Sequence, residues 1–349
     1  MNSFEALLET ARESHYLHKD EIIKLLQVEG RQYEKLLSVA DEVRQEYLGD
    51  EVHLRALIEF SNYCRRNCYY CGLRRDNDAL SRYRMQPGEI HNAARQAAQI
   101  GYKTIVLQSG EDKYYSSDTI SELITNIKEE ADLAVTLSLG EHSYQDYQKW
   151  YKTGADRYLL RHETSDEQLY QKLHPGMKLK ERLKRLKWLK EIGYQVGSGN
   201  LLGLPGQTLE SIAEDILLFK ELELDMVGLG PFISNPDTPL NNAGNGSVQL
   251  TLKVMAITRL LLPQTLMPAT TALGTLDPLG REKGLQAGAN VLMPNVTPVD
   301  VRPQYALYPD KICANEDSAD CRGCIEARVL GIGRTIATGY GHSLKSSPS

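Results

Sequence analysis

The sequence of 349 residues lacks any apolar run near the roughly 18 residues that a membrane-spanning helix needs. It also lacks a surplus of cations, because 46 aspartate and glutamate residues outnumber 40 lysine and arginine residues and the formal net charge is −6. A nucleic-acid binder uses positive charge to displace phosphate counterions. These absences, with acidic residues where a signal peptide would be apolar, predict a cytoplasmic protein with no nucleic-acid or membrane partner.

Two catalytic motifs are missing as well. No GxxxxGK followed by Ser or Thr occurs, and no HExxH occurs, so nucleotide hydrolysis and zinc-protease chemistry have no support. The content of 41% hydrophobic and 25% charged residues is that of an ordinary globular protein, which excludes a fibrous or mainly disordered chain.

Cysteine is scarce, but the six cysteines fall into two groups of three. The front group, Cys64, Cys68 and Cys71, has the spacing C-x3-C-x2-C. Three thiolates on one short loop leave a 4Fe-4S cluster with one open iron, whereas a structural zinc site needs four ligands. The spacing therefore favours an open, catalytic 4Fe-4S cluster. A zinc site completed by a distant residue such as His53, and unliganded buried thiols, are the alternatives.

Strand and helix patterns alternate between residues 53 and 300. Strands are predicted at 53–60, 104–108, 133–138, 157–161, 195–202, 226–230, 267–271 and 290–293. Helices are predicted at 89–100, 118–130, 144–153, 179–192, 209–221, 252–261 and 279–287. Eight such steps over about 250 residues fit a closed parallel barrel. The predicted fold class is therefore α/β, a (β/α)8 TIM-type barrel over 51–300, with an N-terminal helical extension over 1–50 and a C-terminal cysteine-containing segment over 301–349.

The two ends of the chain carry more local predictions. Asn2 and Glu5 have the spacing of a capping box, and an apolar stripe follows at Phe4, Leu7, Leu8 and Ala11. Near the other end, the rear group of cysteines, Cys313, Cys321 and Cys324, is predicted on a loop that enters a final helix at 325–330.

Reactive groups in a barrel of this kind gather where the strands end. The candidates there are Gln108, Ser109, Gly110, Glu111, Thr136, Ser138, Gly140, Glu141, Arg161, His162, Glu163, Asn200, Gly203, Gly230, Pro231, Thr270, Thr271, Met293 and Asn295. For any single one, a satisfied hydrogen bond in the barrel rim explains its presence as well as a function does. As a set they predict an active site at one mouth of the barrel.

A strand followed by C-x3-C-x2-C, with the aromatic Tyr70 before the third cysteine, resembles the radical S-adenosylmethionine (SAM) superfamily. Longer runs, among them LIEFSNYCRRNCYYCGLRRDN, DRYLLRHET and PATTALGT, resemble the HydE-type maturases of FeFe-hydrogenase along nearly the whole chain.

The resemblance implies a radical SAM enzyme that cleaves SAM, bound through its amino and carboxylate groups to the open iron, into a 5′-deoxyadenosyl radical. Glu163 and Arg182 would bind the amino and carboxylate ends of the methionyl group, and Tyr70 would touch the adenine. The implied cofactor contacts are Tyr70, Ser109, Gly110, Glu111, Thr136, Glu163, Arg182, Gly199, Leu201, Gly203 and Met226.

The resemblance also implies a substrate pocket. Arg161, Thr270 and Thr271 match the anion pocket of the family, and one guanidinium with two hydroxyls suits a carboxylate. Further walls would come from Met293, Tyr305 and Tyr308. The implied substrate is a small-molecule or organometallic precursor, an iron-cysteine carbonyl cyanide complex used in H-cluster assembly, and the implied partners are other hydrogenase maturation proteins.

The rear group resembles an auxiliary site of some HydE-type proteins. Its three thiolates could hold a 2Fe-2S cluster with one outside ligand or a second 4Fe-4S cluster, and a zinc site or free thiols are the alternatives. For the whole protein, the competing functions are a methylornithine synthase-like mutase, a biotin synthase-like enzyme, and an iron-sulfur cluster carrier without radical chemistry.

Overall fold

Alternating strands and helices make up most of the chain in the computed structural model, which describes residues 3–345. The helices are α1 (Phe4–Ser14), α2 (Lys19–Leu26), α3 (Gly30–Leu48), α4 (Pro87–Gln99), α5 (Ser117–Glu130), α6 (Tyr144–Lys152), α7 (Glu167–Leu173), α8 (Leu179–Ile192), α9 (Leu209–Glu221), α10 (Val248–Leu261), α11 (Thr271–Leu276), α12 (Gly280–Gln286), a 3-10 turn (Arg302–Gln304) and α13 (Ser318–Gly331). The strands are β1 (Glu51–Leu54), β2 (Ala56–Ser61), β3 (Thr104–Ser109), β4 (Ala134–Ser138), β5 (Arg157–Leu159), β6 (Gln195–Leu202), β7 (Met226–Pro231), β8 (Val291–Leu292) and β9 (Thr335–Ile336).

Strands β2 to β7 form a parallel sheet in sequential order, with helices packed on its outer side. Backbone bridges from Met226 to Leu266, from Pro268 to Val291 and from Leu57 to Asn295 close this sheet on itself. The α/β class and the (β/α)8 TIM-type barrel are thereby confirmed. Within residues 3–345, no helix has the length and apolar character needed to cross a bilayer.

Side chains alternate between the two faces of each strand, as the pleat requires. On β2, Ala56, Ile58 and Phe60 pack into the hydrophobic core between sheet and helices. Leu57 and Glu59 line a cavity inside the barrel. The same alternation on the other strands places polar residues inside the barrel, where the site is found.

Two predicted strands differ from the structure. The first is divided at Arg55, because β1 pairs with β8 and β9 whereas β2 pairs with β3. The seventh shrinks to single bridges at Leu266 and Pro268. Pro268 has no N–H to continue a ladder of hydrogen bonds. Thr270 is already the N-cap residue of α11, so the prediction of a strand through Thr271 was wrong.

The N-terminal helices pack against α9 and α10 on the outside of the barrel. Helix α1 begins one residue later than the predicted capping box requires, since Ser3 is its cap and accepts a hydrogen bond from the Ala6 N–H at 3.2 Å. Asn2 lies outside the described residues. The predicted apolar stripe packs into the core.

Helix α13 starts earlier than predicted because Asp317 caps it through the Ala319 N–H at 2.8 Å. Cys321 and Cys324 therefore lie on the helix, and the prediction that placed them on the preceding loop was wrong. Beyond β9 the chain crosses the end of the barrel where the strands begin. There the Tyr340 carbonyl accepts hydrogen bonds from Thr104 at 2.7 Å and Arg157 at 2.8 Å.

Candidate active site

A cavity of about 370 Å³ lies inside the mouth where the strands end. Its wall combines residues at the ends of β3 to β7, the loop that follows β2, and the segment 305–313 of the C-terminal part. The cavity is the size of a small-molecule site.

The loop after β2 carries the front group of cysteines. Cys68 and Cys71 line the cavity, and the Cys64 sulfur accepts hydrogen bonds from the N–H groups of Arg66 and Glu111 at 3.4 Å each. Burial raises the pKa of all three thiols, that of Cys68 to about 12. Such thiols stay protonated at neutral pH unless a metal replaces the proton.

Close contacts hold this loop in place on two sides. A Cβ on Gly110 would lie 2.2 Å from the Tyr63 carbonyl oxygen. A Cβ on Gly72 would lie 2.0 Å from the Ala306 carbonyl oxygen, and the Gly72 N–H donates to the Leu307 carbonyl at 2.8 Å. The two glycines therefore let the loop press against its neighbours.

In residues 3–345, no three His, Cys, Asp or Glu side chains converge tightly enough to hold a single metal ion. Three half-buried cysteines on one clamped loop fit a larger group, because ligands to different irons of a cluster stand farther apart than ligands to one ion. The donor set, three sulfurs of which those of Cys68 and Cys71 lie at the cavity wall, fits an iron-sulfur cluster.

Tyr70 is held at the cavity wall by a buried histidine. Its hydroxyl lies 2.8 Å from His174 Nε2, and His174 Nδ1 lies 2.9 Å from the Tyr170 carbonyl oxygen. Burial lowers the pKa of His174 to about 3, so the ring is neutral. Nδ1 donates to the carbonyl, and Nε2 then accepts the Tyr70 proton.

Charged residues on the cavity wall form ion pairs. Arg161 Nη2 lies 2.9 Å from Glu163 and also donates to the Asn200 carbonyl at 2.6 Å. Glu163 has a φ of 69°, in the left-handed region that non-glycine residues rarely adopt. Arg182 lies 3.1 Å from Glu141.

Five of the residues implied for SAM line the cavity, namely Tyr70, Ser109, Glu163, Arg182 and Leu201. The other six lie outside its wall, namely Gly110, Glu111, Thr136, Gly199, Gly203 and Met226.

These six residues lie in different parts of the fold. Glu111 lies in an outer groove with Glu141, where Arg65 and Arg66 pair with it. Met226 accepts a hydrogen bond from Arg55 at 2.8 Å near the start of β7.

Thr136, on β4, pairs with Arg157, the first residue of β5. The three glycines allow close backbone approach. A Cβ on Gly199 would lie 2.0 Å from the Gly228 carbonyl oxygen, and one on Gly203 would lie 2.4 Å from the Gly246 Cα.

All six residues implied for the substrate pocket line the one cavity, namely Arg161, Thr270, Thr271, Met293, Tyr305 and Tyr308. Gly228 and Gly230 on β7 also line it and leave the space between Arg161 and Thr270 open. Among the described residues, the buried Thr270 hydroxyl has no hydrogen-bond partner. Such a group fits a ligand that accepts its proton.

Sequence reasoning missed three charged residues of this cavity. Lys311 binds both carboxylate oxygens of Glu59, at 2.7 and 2.8 Å, and Asn295 donates to Glu59 at 2.6 Å. Arg281, on α12, lines the same wall. A glutamate inside the apolar run LIEF was a signal for Glu59, but no comparable signal marks Lys311 or Arg281.

The rear group is divided between two elements. Cys313 lines the cavity, whereas Cys321 is buried and Cys324 is exposed on α13. A hydrogen bond from the Cys321 thiol lowers the pKa of Cys313, and the same bond raises the pKa of Cys321.

Comparisons with known proteins identify the family of the chain. The family model of the Radical SAM superfamily matches residues 58–219. The chain is 54% identical over 308 residues to the FeFe hydrogenase maturase subunit HydE of Thermotoga maritima, and the match covers 88% of each chain. It is 33% identical over 324 residues to 3-methylornithine synthase of Methanosarcina acetivorans, covering 92% of this chain and 91% of that one. The crystal structure of methylornithine synthase (PylB) has a TM-score of 0.82 at 29% identity, covering 95% of this chain and 97% of that one.

The barrel, the front group and these matches define a radical SAM enzyme, a class that uses a 4Fe-4S cluster and SAM. Within that class, the chain belongs to the HydE-type maturase family, which confirms the resemblance drawn from its motifs.

Proposed function

We propose that this protein acts in the cytoplasmic assembly of the FeFe-hydrogenase H-cluster, together with other maturation proteins, and that its substrate is an iron-cysteine carbonyl cyanide complex. The observation that carries the proposal is one cavity that joins the front group to a wall of guanidinium and hydroxyl groups. The 54% identity to the Thermotoga maritima maturase supports the same role.

Cys64, Cys68 and Cys71 would hold the 4Fe-4S cluster, and the cavity-lining residues Tyr70, Ser109, Glu163, Arg182 and Leu201 would contact SAM. Cluster and SAM, when bound, would supply radical chemistry at this cavity. We assign Gly110, Glu111, Thr136, Gly199, Gly203 and Met226 to the support of this wall. A second iron-sulfur cluster, 2Fe-2S or 4Fe-4S, would occupy Cys313, Cys321 and Cys324.

The chain's own residues orient the substrate and keep water out. Arg161, with Thr270 and Thr271, would bind the cysteine carboxylate, because a guanidinium and two hydroxyls can donate several hydrogen bonds to it. Tyr305, Leu307 and Tyr308 come from the segment 305–313, which lines the cavity and would help to keep water out of it. Water excluded in this way cannot quench a reactive intermediate.

The test is anaerobic turnover by reconstituted protein with dithionite, SAM and a synthetic iron-cysteine carbonyl cyanide complex. We expect 5′-deoxyadenosine to form with consumption of the complex, and we expect the product to activate apo-hydrogenase when the other maturation proteins are supplied. A Cys68→Ser variant serves as the control without a cluster. An iron-sulfur carrier would form no 5′-deoxyadenosine, which would contradict the proposal.

The second candidate is a methylornithine synthase-like mutase. It is favoured by the 33% identity to 3-methylornithine synthase and by the TM-score of 0.82 to the solved enzyme. Lysine and dethiobiotin, offered in the same assay, separate the candidates. Conversion of lysine to methylornithine would replace our proposal with the mutase, and biotin formation would replace it with a biotin synthase-like activity.

A further inference from the structure

The cavity contains four cationic side chains, and they differ in how their charge is compensated. Arg161 pairs with Glu163, Arg182 pairs with Glu141, and Lys311 pairs with Glu59. Arg281 has no carboxylate oxygen within 4.0 Å anywhere in residues 3–345. It is only 7% exposed, so solvent does little to compensate its charge.

Contacts with Thr271 and Cys313 hold the Arg281 guanidinium beside the anion pocket. Its Nη2 donates to the Thr271 hydroxyl at 3.3 Å, and its Nη1 lies 3.5 Å from the Cys313 sulfur. A Cβ on Gly274 would lie 3.4 Å from Arg281 Cγ and 2.6 Å from Ile312 Cδ1. The missing side chain of Gly274 therefore leaves room for Ile312, which lines the same wall as Arg281.

The contact with Thr271 has a chemical consequence. A hydroxyl that accepts a hydrogen bond from a guanidinium keeps its own proton free to donate. Thr271 can then donate into the cavity, next to the unpartnered hydroxyl of Thr270. The guanidinium still has further N–H groups with no acceptor among the described residues.

We propose that Arg281, the one cavity cation that no carboxylate side chain balances in residues 3–345, binds the carboxylate of an amino-acid-derived substrate together with Thr270 and Thr271. The charge of Arg161 is balanced by Glu163. Arg161 would therefore orient the bound carboxylate more than it adds net positive charge to the cavity. This inference rests on the proposed function for the identity of the substrate, but its chemistry is that of any small carboxylate.

The test measures binding without turnover. Reconstituted protein with SAM and no reductant is titrated calorimetrically with S-methyl-L-cysteine and with its amide, which lacks the carboxylate. Arg281→Gln should weaken binding of the acid about tenfold or more, the loss typical of a hydrogen bond to a charged group, and leave the amide unchanged. Arg281→Lys should recover part of the affinity. Arg31→Gln, on an exposed arginine of α3, is the matched control and should change nothing.

The competing role for Arg281 is to neutralise the Cys313 thiolate. In a Cys313→Ser background, the effect of Arg281→Gln should persist if the guanidinium binds substrate, and its disappearance would overturn the inference. So would an unchanged affinity of Arg281→Gln, or no binding of the acid by the unsubstituted protein. Thermal unfolding of each variant shows that it is folded. If the hydrogenase assay fails while the carboxylate still depends on Arg281, the proposed function falls and this inference stands.

Discussion

The front and rear groups of cysteines contain three thiols each, but the fold treats them differently. The front group lies on one loop that Gly72 and Gly110 clamp between backbone neighbours, and its three cysteines are all half-buried. The rear group joins a loop residue, Cys313, to a helix that leaves Cys324 exposed. The front cysteines therefore share one loop and one degree of exposure, whereas the rear cysteines range from buried to exposed.

The largest difference is expected from removing one thiol of each group. Cys68→Ser should lower SAM cleavage by more than about 100-fold, since even residues that only support metal ligands cost about 10–100-fold. Cys324→Ser should retain most of the activity, because its side chain is exposed and lies away from the cavity wall. Iron content and 5′-deoxyadenosine formation measure both. Equal losses in the two variants would remove the distinction.

Alkylation of metal-free protein sharpens the same contrast. Burial raises the pKa of Cys68 to about 12, so at pH 8 only about one molecule in 10⁴ carries the reactive thiolate. We expect iodoacetamide to label Cys324 at least about 100-fold faster than Cys68, as measured by mass spectrometry of the labelled peptides. Similar rates would show that the front thiols are open to solvent without metal.

Alanine at matched glycines tests the clamp on the front group. Gly110→Ala places a Cβ 2.2 Å from the Tyr63 carbonyl, a backbone atom that cannot rotate away, and should cost about 1–3 kcal/mol of unfolding free energy together with cluster content. Gly323→Ala, between two cysteines of the rear group on α13, meets no atom within 4 Å and should stabilise the helix by up to about 1 kcal/mol. Denaturant unfolding compares the two. Destabilisation by both would mean that the clamp is not specific to the front group.

The smallest predicted effect is a pH dependence near Tyr70. The pKa of His174 is lowered to about 3 in the fold, against about 6.5 in an unfolded chain. The unfolded chain therefore takes up the proton first, and stability is lost as pH falls below about 6.5, by about 2 kcal/mol at pH 5. His174→Gln should remove this part of the acid sensitivity. Unfolding free energies at pH 7 and pH 5 give the comparison, and an unchanged acid sensitivity would contradict it.

Short-range patterns predicted the features that short segments determine. The spacing of the front group needs only one loop, and strand 195–202 and helices 179–192 and 209–221 agree with β6, α8 and α9 residue for residue. The start of α13 was also accessible in principle, because Asp317 precedes Ser318 in the way a cap does.

Features that depend on distant residues could not be predicted in this way. Glu59 and Lys311 are 252 positions apart, and only closure of the barrel brings them together. The split at Arg55 depends on strands far along the chain, β8 and β9. Arg281 on α12 contacts Thr271 on α11 and Cys313 in the C-terminal segment, and no periodicity encodes these contacts.

The position of β1 between β8 and β9 has a consequence for synthesis on the ribosome. Both hydrogen-bonding partners of this early strand are made more than 230 residues later, because β1 ends at Leu54 and β8 begins at Val291. Until then its edges are bare, and bare strand edges are prone to pair with other chains. The nascent polypeptide thus carries two unpaired strand edges for most of its elongation.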